Sequence, residues 1–122
     1  MRLLYHYIDT GDMDGCGSLL DADVRLWSPG APVGHGRSEV IGLQRDMAGP
    51  FARHETRRIF AAGDVIAVAG RLVRRTGERS GAESGTADTG RETDAVEFAD
   101  FFTVSEEGML LTQHRYYFVS PG

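Results

Sequence analysis

The run Val96-Glu97-Phe98-Ala99-Asp100-Phe101-Phe102-Thr103-Val104 carries a carboxylate in an unusual setting. If it is a strand, side chains alternate, and one face presents Val96, Phe98, Asp100, Phe102 and Val104. A carboxylate on an otherwise apolar face meets a partner, keeps its proton or lines a cavity, because an unpaired buried charge costs too much. Two readings stand. Asp100 is a structural residue satisfied by an arginine or backbone donors, or it belongs to a pocket, since such carboxylates often mark sites. The final strand presents Met109, Leu111, Gln113, Arg115 and Tyr117 on one face, and Leu110, Thr112, His114, Tyr116 and Phe118 on the other. A hairpin would set Arg115 across from Asp100 or one strand step away, and the pairing would hold Asp100 ionised. An ionised Asp100 could take a proton next to a carbonyl while Arg115 or Tyr117 stabilises the enolate oxygen. A protonated Asp100 would instead be an oxyanion donor, and the base would be missing.

Other chemistries find less support. His6, His35, His54 and His114 are not spaced as a metal-binding pair on a helix, and no HExxH pattern occurs, so no metal is expected. His54-Glu55 at a strand start reads as a surface or supporting pair. No GxSxG elbow is present, and Gly34-His35-Gly36-Arg37 lacks the form of a phosphate loop. Cys16 is the single cysteine, so an internal disulfide is excluded. All thirteen basic residues are arginine, which fits a GC-rich bacterial genome and rules out Schiff-base and lysine-base mechanisms. A net charge of -5 argues against nucleic acid as a partner. No apolar run approaches the roughly 20 residues of a membrane span, and no secretory signal is recognisable, so the expected location is cytoplasmic.

The elements that must position these groups follow from periodicity. At 122 residues, 41% hydrophobic and 25% charged, one domain over 1–122 is expected. Leu4, Tyr7 and Ile8 give a short helix closed by Gly11, and Asp12 caps a second helix bearing Met13, Cys16 and Leu20. Val24–Trp27 reads as a strand, followed by a turn at Ser28-Pro29-Gly30. Ser38 is the expected cap of a third helix carrying Val40, Ile41, Leu43 and Met47, stopped by Gly49-Pro50. Strands are expected at His54–Ala61, Asp64–Val73, Val96–Val104 and Met109–Val119, with hairpins at Ala62-Gly63 and Ser105–Gly108. Residues 74–94, rich in Gly, Ser, Thr, Arg and Glu, read as a disordered or mobile hairpin loop, with a lid as the alternative. Helices first and antiparallel strands afterwards make an α+β order.

In this order the chain resembles the nuclear transport factor 2-like superfamily, in particular its ketosteroid isomerase and SnoaL-like polyketide cyclase branches. The resemblance rests on Tyr7-Ile8-Asp9-Thr10-Gly11-Asp12, Leu20-Asp21-Ala22-Asp23-Val24, Ser28-Pro29-Gly30 and Gly36-Arg37-Ser38-Glu39-Val40-Ile41. It continues in Phe101-Phe102-Thr103-Val104-Ser105-Glu106-Glu107-Gly108-Met109-Leu110 and Arg115-Tyr116-Tyr117-Phe118, so it runs nearly end to end. It implies a cone-shaped α+β barrel, with N-terminal helices packed on a strongly bent antiparallel sheet, and no cofactor. Ketosteroid isomerases use a tyrosine and a protonated aspartic acid as an oxyanion hole and an aspartate as base. The resemblance places the oxyanion aspartic acid on Asp100, the tyrosine near Leu4 beside Tyr5 and Tyr7, and the base on Ser28. The aspartate that SnoaL-like cyclases keep on the last strand falls on Arg115, and the Arg-x-Asp element of limonene epoxide hydrolases falls near Arg71-Leu72-Val73. No characterised site transfers complete. The implied cavity is lined by Leu26, Ser28, Ala67, Ala69, Arg71, Phe98, Phe102 and Gln113, around Asp100, Arg115 and Tyr117. It would take a hydrophobic, polyketide-like small molecule and act as an isomerase, cyclase or dehydratase. The alternative is a ligand-binding or dimerisation protein without chemistry. The resemblance also implies a homodimer through the outer sheet face, where Phe101, Tyr116 and Phe118 fall.

Overall fold

Gly11, in the left-handed region at φ 76°, ends the first helix, α1 (Arg2–Thr10), and lets the Asp12 N–H return to the Tyr7 carbonyl at 2.8 Å. Asp12 then caps α2 (Met13–Ser18), its carboxylate accepting from the Gly15 N–H at 2.8 Å, as its position predicts. Strand β1 (Leu20–Trp27) is longer than the alternation suggested, and leads through β2 (Gly34–His35) into α3 (Gly36–Ala48). Ser38 does not cap α3. The helix opens three residues earlier, with His35 as N-cap, and the Glu39 carboxylate accepts the His35 N–H at 2.9 Å.

The structure, a computed structural model, describes residues 1–49, 52–75 and 92–118. Its remaining elements are β3 (Ala52–Ala62), β4 (Val65–Arg75), β5 (Glu92–Val104) and β6 (Leu110–Phe118). They join β1 and β2 in one six-stranded sheet of order β2-β1-β6-β5-β4-β3. Most pairs are antiparallel, as expected; β1 and β6 run parallel. A parallel pair needs a long connection between its strands, and here all the elements from β2 to β5 intervene. The sequence reading of 74–94 as a loop is corrected at both ends. Arg74 pairs with Asp94 and Arg75 with Glu92, so β4 and β5 run on into it. Residues 76–91 of that expected loop lie outside the described residues.

The helices cover one face of the sheet and close the core. Leu4, Tyr5 and Ile8 from α1, Cys16 from α2 and Val40 from α3 pack on Val24, Leu26, Val68, Leu72, Phe98 and Phe102. Burial, then the Asp12 charge, pushes the Cys16 thiol up to about 11, so it stays protonated near neutrality and is no nucleophile. Gly70 lets β3 cross close to β4: a Cβ there would collide with the Glu55 carbonyl oxygen beside the bulge at Thr56/Arg58.

Strand register sorts the side chains. On the covered face, Val68 aligns with Asp100 and Asp100 with Arg115; Ile66 aligns with Phe102, Phe102 with Gln113 and Gln113 with Leu26. On the opposite face one row crosses five strands: Phe60, Ala67, Phe101, His114 and Trp27. Trp27 and His114 stack in that row with centroids 4.2 Å apart, and Phe101 meets Tyr116 edge-on at 5.9 Å.

Candidate functional site

The covered face carries a linked set of buried polar groups on apolar walls. Asp100 and Arg115, direct partners across β5 and β6, form a two-point ion pair: Nε to Oδ1 at 2.5 Å and Nη2 to Oδ2 at 2.7 Å. Both side chains are fully buried. Tyr5 reaches down from α1 and donates its hydroxyl to Asp100 Oδ2 at 2.6 Å. The Arg115 guanidinium lies over the Phe98 ring, 4.2 Å from its centroid, and its Nη1 is 3.4 Å from the Tyr117 hydroxyl. Burial alone would lower the Arg115 pKa, and the bonds and charge of Asp100 override it, so the guanidinium is fixed in its charged form.

This geometry gives Asp100 three donors, two from Arg115 and one from Tyr5, which suits a carboxylate accepting at both oxygens. Sequence alone left open whether Asp100 faced an arginine or a cavity. The structure brings it to Arg115 and encloses it. Tyr5 was visible only as a neighbour of Leu4, where the resemblance put the oxyanion tyrosine. In space it is Tyr5, one position on, that meets Asp100, because Leu4, Tyr5 and Ile8 form the buried stripe of α1.

A second polar pair lies toward α3. Gln44 Nε2 donates to Gln113 Oε1 at 2.6 Å, both residues buried, and Gln113 Nε2 has no partner among the described residues. Ser28 Oγ is likewise buried without a partner. Buried polar groups are normally satisfied, so these two are places where a ligand would gain hydrogen bonds. Gln44 was not anticipated, although it sits four residues from Val40 on the buried side of α3.

Leu26, Phe98, Phe102, Gln113, Asp100 and Arg115 all fall on the covered side as the alternation predicts. Arg71 does not. It aligns with Glu97, while Gly70 aligns with Phe98, so Arg71 is on the opposite face with Ala67 and Ala69. Its guanidinium bonds Glu55 Oε1 at 2.9 Å. The covered positions of β4 are Val68 and Leu72, and the one-residue error inverts the face because strand side chains alternate.

Tyr5 supplies a test of this enclosure. Burial first, then the Asp100 charge and its hydrogen bond, raise the Tyr5 pKa well above its ordinary value of 10.0. A raised folded-state pKa contributes stability that is complete below the unfolded value and is lost as pH rises toward the folded one. Unfolding free energy should therefore fall above about pH 10, with a Tyr5 slope of up to about 1.4 kcal/mol per pH unit. Tyr5→Phe should remove that slope in urea unfolding series between pH 8 and 11; an unchanged slope would show that Tyr5 is not shielded.

The cone of helices on a bent mixed sheet, with polar groups gathered inside it, is the architecture of ketosteroid isomerase-like and NTF2-like proteins. The model of the SnoaL-like domain family matches residues 1–113, and the chain belongs to that family. Comparison with curated protein sequences finds no match. Solved structures share the fold at low identity. One is a hypothetical protein with a ketosteroid isomerase-like fold from Catenulispora acidiphila, in complex with trimethylamine: TM-score 0.73, 14% identity, covering 98% of this chain and 85% of the other. A candidate SnoaL-like polyketide cyclase from Jannaschia sp. CCS1 gives a TM-score of 0.72 at 16% identity, covering 95% of this chain and 81% of the other. TerC, co-crystallised with polyporic acid, gives 0.71 at 16% identity, covering 96% and 87%. No helix among the described residues is long and apolar enough to cross a membrane.

Proposed function

We propose that this chain is a cofactor-independent enzyme that binds a hydrophobic, polyketide-like carbonyl compound inside the cone and moves a proton next to its carbonyl, as an isomerase, cyclase or dehydratase. The observation that carries this reading is the state of Arg115. Asp100 engages Nε and Nη2, while Nη1 has only the long contact to Tyr117. A charged guanidinium with an under-used N–H, in a low-dielectric wall, suits an oxygen that becomes negative during reaction. Tyr117 accepts from Arg115 and keeps its own proton to donate to the same oxygen. Gln113 Nε2 and Ser28 Oγ offer further hydrogen bonds, and Leu26, Phe98 and Phe102 supply apolar contact. In this reading Asp100 is not the base. Its three accepted bonds and full burial leave it to charge and aim Arg115, so Arg115 and Tyr117 would touch the substrate and Asp100 positions them.

The alternative, a ligand-binding or dimerisation protein without chemistry, takes the same sealed ion pair as purely structural. Titration with 2-naphthol, a phenol that mimics an enol, separates the two. Wild type should bind it and change its emission toward the naphtholate, and Tyr117→Phe should weaken binding by about tenfold, the worth of one hydrogen bond. Absence of binding by wild type would move the assignment to a non-catalytic module.

The resemblance to a homodimeric superfamily joins this reading, with the row of Phe60, Phe101, His114 and Trp27 as the contact. Phe101, Tyr116, Phe118 and Phe60 are all exposed, at 44%, 51%, 57% and 59%. Several aromatics exposed on one sheet face mark an interaction surface.

A further inference from the structure

The enolisation reading lacks a base once Asp100 is committed to Arg115 and Tyr5, and the structure holds another candidate. His54 lies on β3 in register with Leu72, a core residue, and its side chain is only 2% exposed. Asp9, in the last turn of α1, holds it at two points. Asp9 Oδ2 accepts the His54 backbone N–H at 2.7 Å, and Oδ1 is 2.7 Å from the ring Nδ1. A carboxylate can only accept at Nδ1, so Nδ1 carries a hydrogen, and in the neutral ring Nε2 then carries the lone pair. Among the described residues Nε2 has no hydrogen-bond partner. The ring is wedged beside Tyr5 at 4.9 Å and edge-on to Phe98 at 5.5 Å. Phe98 is also the ring on which Arg115 lies.

We infer that His54, oriented by Asp9, is the general base of this site, which rests on the enolisation reading above. Its Nε2 takes the proton from the carbon next to the substrate carbonyl. The C–H electron pair becomes the enolate double bond, and the carbonyl π pair moves to the oxygen facing Arg115 Nη1 and the Tyr117 hydroxyl. The proton on Nε2 then returns to a carbon for isomerisation, or leaves with a departing hydroxyl as water for dehydration. Asp9 is a positioning residue: it fixes the tautomer and offsets the positive charge that the ring gains. A purely structural histidine would tie α1 to β3 equally well. What points beyond such a tie is the place of the ring, packed against Tyr5 and Phe98 beside the Arg115–Asp100 pair. The substrate class that fits is a carbonyl compound with an acidic neighbouring C–H and an apolar body, placed against Phe98 between His54 and Arg115.

The test uses the full chain with 15N-labelled histidine, read by long-range proton–nitrogen correlation with and without 2-naphthol. The expected spectrum shows His54 neutral, protonated at Nδ1 and bare at Nε2. Bound naphthol, its oxygen at Arg115 and Tyr117, should move the Nε2 resonance as its ring packs against His54. Asp9→Ala should lose the single tautomer, and His54→Gln should abolish any proton-abstraction activity. A His54 protonated at Nε2, or naphthol bound by wild type with the His54 resonances unmoved, would overturn the assignment and leave the enolisation reading standing. A wild type that does not bind naphthol at all would overturn both.

Discussion

Asp100→Leu and Arg115→Met will each cost about 3–5 kcal/mol of unfolding free energy, because either leaves the other charge buried and alone. The two side chains are fully enclosed, so solvent cannot take over the lost bonds. The double variant should recover most of that loss, since replacing a buried ion pair by apolar residues of similar size is often neutral or better. It leaves the Tyr5 hydroxyl without its acceptor, an unmet donor worth about 1–3 kcal/mol, and adding Tyr5→Phe should recover that too. Chemical denaturation of the four variants against wild type gives the coupling energy directly. Single variants that lose less than about 1 kcal/mol would show a pair open to water, like exposed pairs generally. The stabilised triple variant serves a second purpose: a folded cone that no longer binds 2-naphthol would separate a functional ion pair from one kept for folding.

The outer sheet face carries the second large effect. Sedimentation equilibrium should show wild type as a dimer, and Phe101→Arg or Tyr116→Arg as a monomer. A twofold contact uses the same patch on both copies, so each substitution enters the interface twice. Central aromatic residues at such contacts are worth about 2 kcal/mol or more each, hence ~30-fold or more in Kd. Phe101 and Tyr116 already pack edge-on and are half exposed, so their loss should leave the monomer's core intact. Near-UV circular dichroism and thermal unfolding check that the monomer stays folded. A monomeric wild type would remove this face as a homodimer contact, and an unchanged dimer in both variants would place the contact elsewhere.

Local signals determined much of the framework. The αL glycine at Gly11 and the capping carboxylate at Asp12 fixed the first helix junction, because a positive φ and a cap are single-residue requirements. Strict alternation in Val96–Val104 put Asp100 among Phe98 and Phe102, and the following hairpin made Arg115 its partner; both depend on contacts close in sequence. The same alternation failed for Arg71, because one residue of error in the phase of β4 inverts the face. The ends of β4 and β5 escaped for a related reason. Residues 74, 75 and 92–94 are polar, and pairing between them is a matter of cross-strand register that composition does not record.

Only the tertiary structure decided what Asp100 and His54 meet. Tyr5 lies 95 residues from Asp100, and Asp9 lies 45 from His54. No periodicity within an element connects such distant positions, since their meeting is set by how α1 lies across the sheet. The sequence therefore showed a carboxylate that needed a partner and a histidine of no evident use. Packing showed that the carboxylate is already occupied by Arg115 and Tyr5, and that the histidine is enclosed and held at two points by Asp9.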